Sequence, residues 1–208
     1  MDFIHSLILL TTIHLLAAAT PGPDFVLITK QTLSYGKKAG FLTALGITLG
    51  LSIHIIYSSL GLATIIAHST TLLWFIKIVG GFYLIYLGYK SLISKTPIYE
   101  ATKVNKKELK NSQYITIGFL GNLFNPKAPI YFLALFSLVL SPNMPSYQLF
   151  FVGIWIMILQ FLWFSLVVKF LTIPKINKKF QEFAHYIEKI LGAALIFLGI
   201  KVLFSKSN

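Results

Sequence analysis

Hydrophobic residues run along almost the whole chain in stretches that short polar connections separate. Each stretch is close to the ~20 residues that a helix needs to cross the ~30 Å hydrocarbon core of a bilayer. The first stretch lacks the basic start of a secretory signal peptide, so we expect it to stay as a membrane span. The pattern predicts an all-α polytopic membrane protein with six transmembrane helices at 3–29, 39–66, 72–91, 113–140, 147–171 and 185–204.

Proline interrupts two of these stretches. The first contains Pro21-Gly22-Pro23-Asp24, and the fourth contains Asn125-Pro126-Lys127 at the corresponding place in the second half. Proline lacks a backbone donor and clashes with the preceding turn. Non-helical backbone at membrane depth is tolerated only where it is buried in protein or lines a watery cavity. We therefore expect helices 1 and 4 to be broken, and a matching pair of breaks predicts a transport site between them.

The two halves of the chain resemble each other. Lys77–Gly80 is echoed by Lys189–Gly192, and Leu84–Lys90 by Leu195–Lys201. Each half holds three spans, so the second half must enter the membrane from the opposite side. The chain is predicted to be one transporter domain, 1–208, built as two inverted three-helix repeats, the plan of many secondary transporters. Repeat one covers about 1–93, a cytoplasmic connection about 94–112, and repeat two about 113–208.

Composition and charge narrow the class further. Hydrophobic residues make up 56% of the chain and charged residues 12%, against about 25% in soluble domains. The net charge of +12 comes from lysines in the connections, so it indicates membrane topology and anionic lipid rather than nucleic acid. The positive-inside rule puts the lysine-bearing loops in the cytoplasm and both termini outside.

Several chemistries find no support in the sequence. Cysteine is absent, which excludes a disulfide framework, a thiolate metal site and a cysteine nucleophile. No serine, histidine and carboxylate combination suggests hydrolysis. We expect neither an enzyme nor a cofactor.

The breaks supply the candidate substrate-binding residues. Asn125 is expected to cap a helix that restarts at Pro126, and Asp24 to cap one that starts at Phe25. Helix N-termini of this kind favour a carboxylate, although both residues could be caps alone. The candidates for substrate binding are Pro21, Gly22, Pro23, Asp24, Asn122, Asn125, Pro126 and Lys127.

The charges of these residues suggest which part of the substrate each one binds. Asp24 is a candidate for proton coupling or for the substrate amine, and Lys127 for a carboxylate. The rise of about 1.5 Å per residue places Asp24 in the cytoplasmic half and Lys127 nearer the midplane, which leaves their direct contact open. His14 and His54 are further proton-coupling candidates, the alternative being neutral, hydrogen-bonded histidines. Asn122 and Gln160 are expected to bridge helices.

A second reading comes from Glu182, His185 and Glu188, which recur at a spacing that can place three ligands on one helix face. It would make the chain a divalent-cation exporter on a related plan. The alternative is the solvated first turn of a helix, where acidic residues are common. No metal site is assigned.

Together these motifs resemble the LysE/RhtB family of amino-acid exporters. The likeness rests on Pro21-Gly22-Pro23, on Gly118-Phe119 followed by Asn122-Leu123 and Asn125-Pro126-Lys127, and on the run Gly80–Lys90. It covers essentially the whole chain. It implies a proton-driven exporter of amino acids or close derivatives in the bacterial cytoplasmic membrane, with a homodimer as one assembly. With Asp24 as the intramembrane acid, the sequence favours neutral substrates.

Overall fold

The computed structural model describes residues 3–20, 22–68, 70–93, 109–139 and 144–204. These ranges contain helices and short connections, and no strand. The eight helices are α1 (Phe3–Ala19), α2 (Pro23–Tyr35), α3 (Lys37–His68), α4 (Thr70–Ile93), α5 (Asn111–Leu123), α6 (Lys127–Val139), α7 (Ser146–Leu171) and α8 (Pro174–Leu203).

Three of these helices are long and apolar enough to cross a membrane, over Lys37–Gly61, Trp74–Ile93 and Ser146–Leu171. The pair α1 and α2 meets the same test together and bends by 58° at the break, so helix 1 is broken as predicted. In the second half, α5 and α6 are separated at the predicted break as well. The count of six spans stays a prediction.

Predicted and observed boundaries differ most in the last helix. The sequence predicts a span at 185–204, whereas α8 begins at Pro174 and runs for 30 residues. The first part of α8 is polar and carries Lys175, Lys178 and Lys179. A prediction based on hydropathy leaves this polar part out of the span, although it belongs to the same helix. A proline at the first helical position suits this early start, because its missing N–H has no helical partner there.

Close helix contacts occur where glycines face a neighbouring backbone. A Cβ at Gly46 on α3 would meet the Ile115 carbonyl of α5, and one at Gly118 would meet the Thr43 carbonyl of α3. On α4 and α8, Gly88 lies against the Gly192 carbonyl. Small residues let membrane helices approach in this way.

Two clusters of buried side chains form the core. One joins α1, α3, α6 and α7 with α4 and α8, and includes Leu51 and Phe132. The other joins α2, α3 and α7, and includes Phe25 and Phe164. Members of both clusters border one internal cavity, which therefore lies at their junction, beside the two breaks.

Candidate substrate site

An internal cavity lies where the two breaks meet. Gly22, Pro23 and Asp24 reach it from the first break, and Asn125 and Lys127 reach it from the second. Its volume is about 50 Å³, several times the ~10–15 Å³ that one water requires. The cavity can therefore hold a few waters or a small polar molecule.

The first break positions Asp24 without using it as a cap. Gly22 is the N-cap of α2, with an extended backbone and no side-chain cap, and Pro23 occupies the first turn. The prediction that Asp24 caps a helix starting at Phe25 is therefore wrong. The helix starts earlier because Pro23, whose φ is fixed near the helical value, fits its first position. The Asp24 carboxylate is left to make contacts outside its own helix.

The Asn125 side chain caps the second break, although α6 begins at Lys127 rather than at the predicted Pro126. The Asn125 side-chain oxygen accepts a hydrogen bond from the Lys127 backbone N–H at 3.0 Å. The Asn125 N–H in turn donates to the Asn122 carbonyl at 3.0 Å. Tyr83 on α4 donates its hydroxyl proton to the Pro126 carbonyl at 3.3 Å. These bonds satisfy backbone groups that the interrupted helix leaves open.

Asp24 and Asn122 form the acceptor side of the cavity. The Asn122 amide donates to Oδ2 of Asp24 at 2.8 Å. Oδ1 of Asp24 and Oδ1 of Asn122 are both buried and have no hydrogen-bond partner among the described residues. Buried polar atoms are nearly always paired, so two unpartnered oxygens beside a cavity indicate where a donor would bind.

Lys127 forms the donor side. Its ammonium group donates to the carbonyls of Ala17, at 2.9 Å, and Thr20, at 3.4 Å. These carbonyls belong to the C-terminal end of α1, the negative end of the helix dipole. Within the described chain no ion pair joins Lys127 to Asp24, although both border the cavity. The two charged groups therefore border the same space without a direct ion pair.

His14 lies farther along the cavity wall. Its side chain is buried, and its Nδ1 is 3.3 Å from the Tyr131 hydroxyl. Gln160, also buried, lines the cavity next to it. His14 Nε2 has no hydrogen-bond partner in the described part of the chain. This end of the cavity thus has an open hydrogen-bonding group of its own.

His54 stands behind the cavity wall rather than in it. Its Nε2 lies 3.1 Å from the Asn122 carbonyl, and its Nδ1 lies 2.8 Å from the Tyr57 hydroxyl. A carbonyl only accepts, so the ring network assigns the proton to Nε2, and Tyr57 donates to Nδ1. Both nitrogens are therefore engaged, and the ring holds the end of α5 that carries Asn122.

The structure brings most of the predicted site together. Seven candidates border the cavity: His14, Gly22, Pro23, Asp24, Asn122, Asn125 and Lys127. Pro126 and His54 contact the surrounding frame, and Pro21 lies outside the described residues. Tyr131 also lines the cavity and is not among the predicted residues, although its position one helical turn after Lys127 could have indicated it.

The three residues behind the cation hypothesis do not form a site. Glu182 and His185 are exposed, whereas Glu188 is buried. Among the described residues, no three histidine or acidic side chains converge in a way that could hold a metal ion.

Broken helices, charged groups facing a small internal cavity and apolar outer surfaces define a polytopic membrane protein with an embedded polar site. Comparison with known proteins gives the family. The family described as LysE type translocator matches residues 15–206, and the chain belongs to that family. No solved structure matches the chain.

Its relatives are bacterial proteins of similar length. The threonine efflux protein of Escherichia coli K12 is 30% identical over 196 residues, covering 93% of this chain and 95% of that protein. The membrane protein YrhP of Bacillus subtilis is 33% identical over 205 residues, covering 95% and 98%. A membrane protein of Haemophilus influenzae is 28% identical over 209 residues, covering 96% of each.

Proposed function

We propose that this protein exports neutral amino acids or close derivatives from the bacterial cytoplasm in exchange for protons. One observation carries the proposal: the cavity presents acceptor oxygens of Asp24 and Asn122 on one side and the Lys127 ammonium on another. An α-amino acid carries an ammonium and a carboxylate on neighbouring atoms, so it complements both sides. The relatives named as threonine efflux proteins support the same class of substrate.

Coupling to protons is assigned to Asp24. A carboxylate buried in the protein binds either the substrate ammonium or a proton, and it is costly to leave charged with neither. We infer that one substrate ammonium leaves Asp24 as one proton arrives from outside. The proton then leaves toward the cytoplasm before the next substrate binds, so each amino acid exported brings one proton in.

Alternating access is proposed to come from two inverted repeats, together providing six spans. The contacts between α4 and α8 support this plan. Gly88 lies against Gly192, and Gly81 lies against the Gly199 carbonyl, so each helix meets the other at a reciprocal pair of glycines. The same spacing separates the two glycines on each helix, as expected for elements related by a pseudo-twofold axis. The lysine-bearing loops are proposed to face the cytoplasm, with both termini outside.

The test is a counterflow screen in proteoliposomes. Purified protein is reconstituted into vesicles that are loaded with single unlabelled amino acids, and uptake of the labelled amino acid is followed. We expect exchange of one or more neutral amino acids above protein-free vesicles. We also expect faster release when the external solution is more acidic than the lumen. No exchange of any amino acid contradicts the proposed function, and release that ignores the pH gradient contradicts proton coupling alone.

A further inference from the structure

His14 lines a part of the cavity to which the proposed function gives no role, since the substrate ammonium is assigned to Asp24 and the carboxylate to Lys127. Its ring is buried, its Nδ1 is engaged by Tyr131, and its Nε2 has no partner in the described structure. A buried polar group left unpaired costs free energy, so its presence beside a cavity points to a ligand that completes it. The Gln160 side chain interacts with the His14 ring but does not meet hydrogen-bond geometry at Nε2, and it adds a second polar group to the same wall.

The spacing of these groups suits the side chain of a small amino acid. His14 precedes Ala17, whose carbonyl binds Lys127, by three residues on α1, a rise of about 4.5 Å. Tyr131 follows Lys127 by four residues on α6, a rise of about 6 Å. His14 thus lies about one helical turn along α1 from the residue whose carbonyl binds the Lys127 ammonium, and Tyr131 lies about one turn along α6 from Lys127 itself. A carboxylate at Lys127 would direct a short side chain toward His14.

The other walls limit what fits there. Ala17, Ala18 and Phe132 line this region with hydrocarbon, and the whole cavity is small. A hydroxyl group can donate to or accept from Nε2, so it can satisfy either tautomer of the ring. A methyl group in its place would leave Nε2 unpaired.

We propose that His14, held by Tyr131 and flanked by Gln160, binds a hydrogen-bonding group on the substrate side chain and so selects short polar side chains over hydrocarbons of equal size. This inference rests on the proposed function, and it assigns His14 to substrate selection rather than to proton transfer.

The test compares L-threonine with L-valine, which has a methyl group in place of the hydroxyl group. Initial counterflow rates give the ratio of kcat/KM for the two amino acids. We expect the unmodified protein to favour threonine by about tenfold or more. His14→Leu should bring the ratio close to one by slowing threonine, and Tyr131→Phe should lower it in part. His5→Leu, the same change at an exposed position of α1, should leave the ratio unchanged.

A second measurement applies if a variant binds amino acids but no longer transports them. In detergent, each amino acid that binds raises the melting temperature of the protein. We expect threonine to raise it more than valine, and His14→Leu to abolish this difference. An active His14→Leu protein with an unchanged ratio overturns this inference alone. So does a variant that keeps the ratio but loses its response to a pH gradient, because His14 would then carry protons. An unmodified protein that exchanges no amino acid overturns the proposed function and this inference together.

Discussion

Asp24 and Asn122, which are 98 positions apart in the sequence, are joined by a hydrogen bond of 2.8 Å beside the cavity. Asp24 lies just after the first break, and Asn122 lies just before the second. The bond therefore couples the two broken helices directly, and it occupies one carboxylate oxygen of Asp24 and the amide nitrogen of Asn122. The remaining oxygens, both buried and without a partner in the described structure, are free for a substrate donor.

The first prediction concerns the Asp24 carboxylate. Asp24→Asn keeps the shape and the hydrogen bond to Asn122 but removes the negative charge. We expect gradient-driven amino-acid release to fall by about 100-fold, the order expected when one member of a buried charge contact is removed. Release from proteoliposomes under an imposed pH gradient measures this. Glu182→Gln, at an exposed position, is the matched control and should behave as the unmodified protein. Full gradient-driven release by Asp24→Asn would remove Asp24 from the coupling mechanism.

The second prediction concerns Lys127 and the substrate carboxylate. Lys127→Met keeps most of the length of the side chain, which becomes one atom shorter, and removes its charge. We expect affinity for the amino acid to fall by about 100-fold, and affinity for the corresponding amino-acid amide, which lacks the carboxylate, to change little. Competition for counterflow by the two compounds measures the difference.

Lys127 also binds the carbonyls at the end of α1, so the variant should be compared at equal amounts of folded protein. Lys90→Met, an exposed lysine on α4, is the matched control. Equal losses for the amino acid and its amide would show that Lys127 acts on the fold rather than on the carboxylate.

Much of the frame of this site could be predicted from the sequence, because proline chemistry is local. Pro126 and Pro23 fix where helices restart, and Asn125 is a cap by the rules of its own turn. The function of Asp24 within its turn was mispredicted, because one residue decides whether a helix starts at Pro23 or Phe25. That choice depends on the extended backbone at Gly22, which other residue types also adopt.

The contacts between helices could not be predicted in the same way. Lys127 binds backbone carbonyls of α1, and every residue has a carbonyl, so no side chain in the sequence marks that partner. Tyr131 and Gln160 reach the cavity because of how α6 and α7 are rotated, and packing between spans sets this rotation. Sequence periodicity places residues on a face but leaves open which helix that face meets.

The third prediction concerns His54, which the sequence offers as a proton carrier. Its two ring nitrogens are engaged by Asn122 and Tyr57, so we expect it to position Asn122. His54→Leu should raise KM by about tenfold, since the Asn122 carbonyl loses a partner, and should keep the response to a pH gradient. Tyr57→Phe, which removes one hydroxyl, should have a smaller effect in the same direction. If His54→Leu lost the response to a pH gradient while KM stayed unchanged, the result would contradict the positioning role and support His54 as a proton carrier.

The last prediction compares two glycines of α3. A Cβ at Gly46 would collide with the Ile115 carbonyl of α5, whereas Gly61 is exposed and has nothing within 4 Å of the same position. Gly46→Ala should force the two helices apart and lower the melting temperature in detergent by about 5 °C or more. Gly61→Ala should leave it unchanged or raise it slightly, because alanine favours a helix by about 1 kcal/mol over glycine. Since both changes add one methyl group to the same helix, equal shifts would mean that close contact between α3 and α5 does not stabilise the fold.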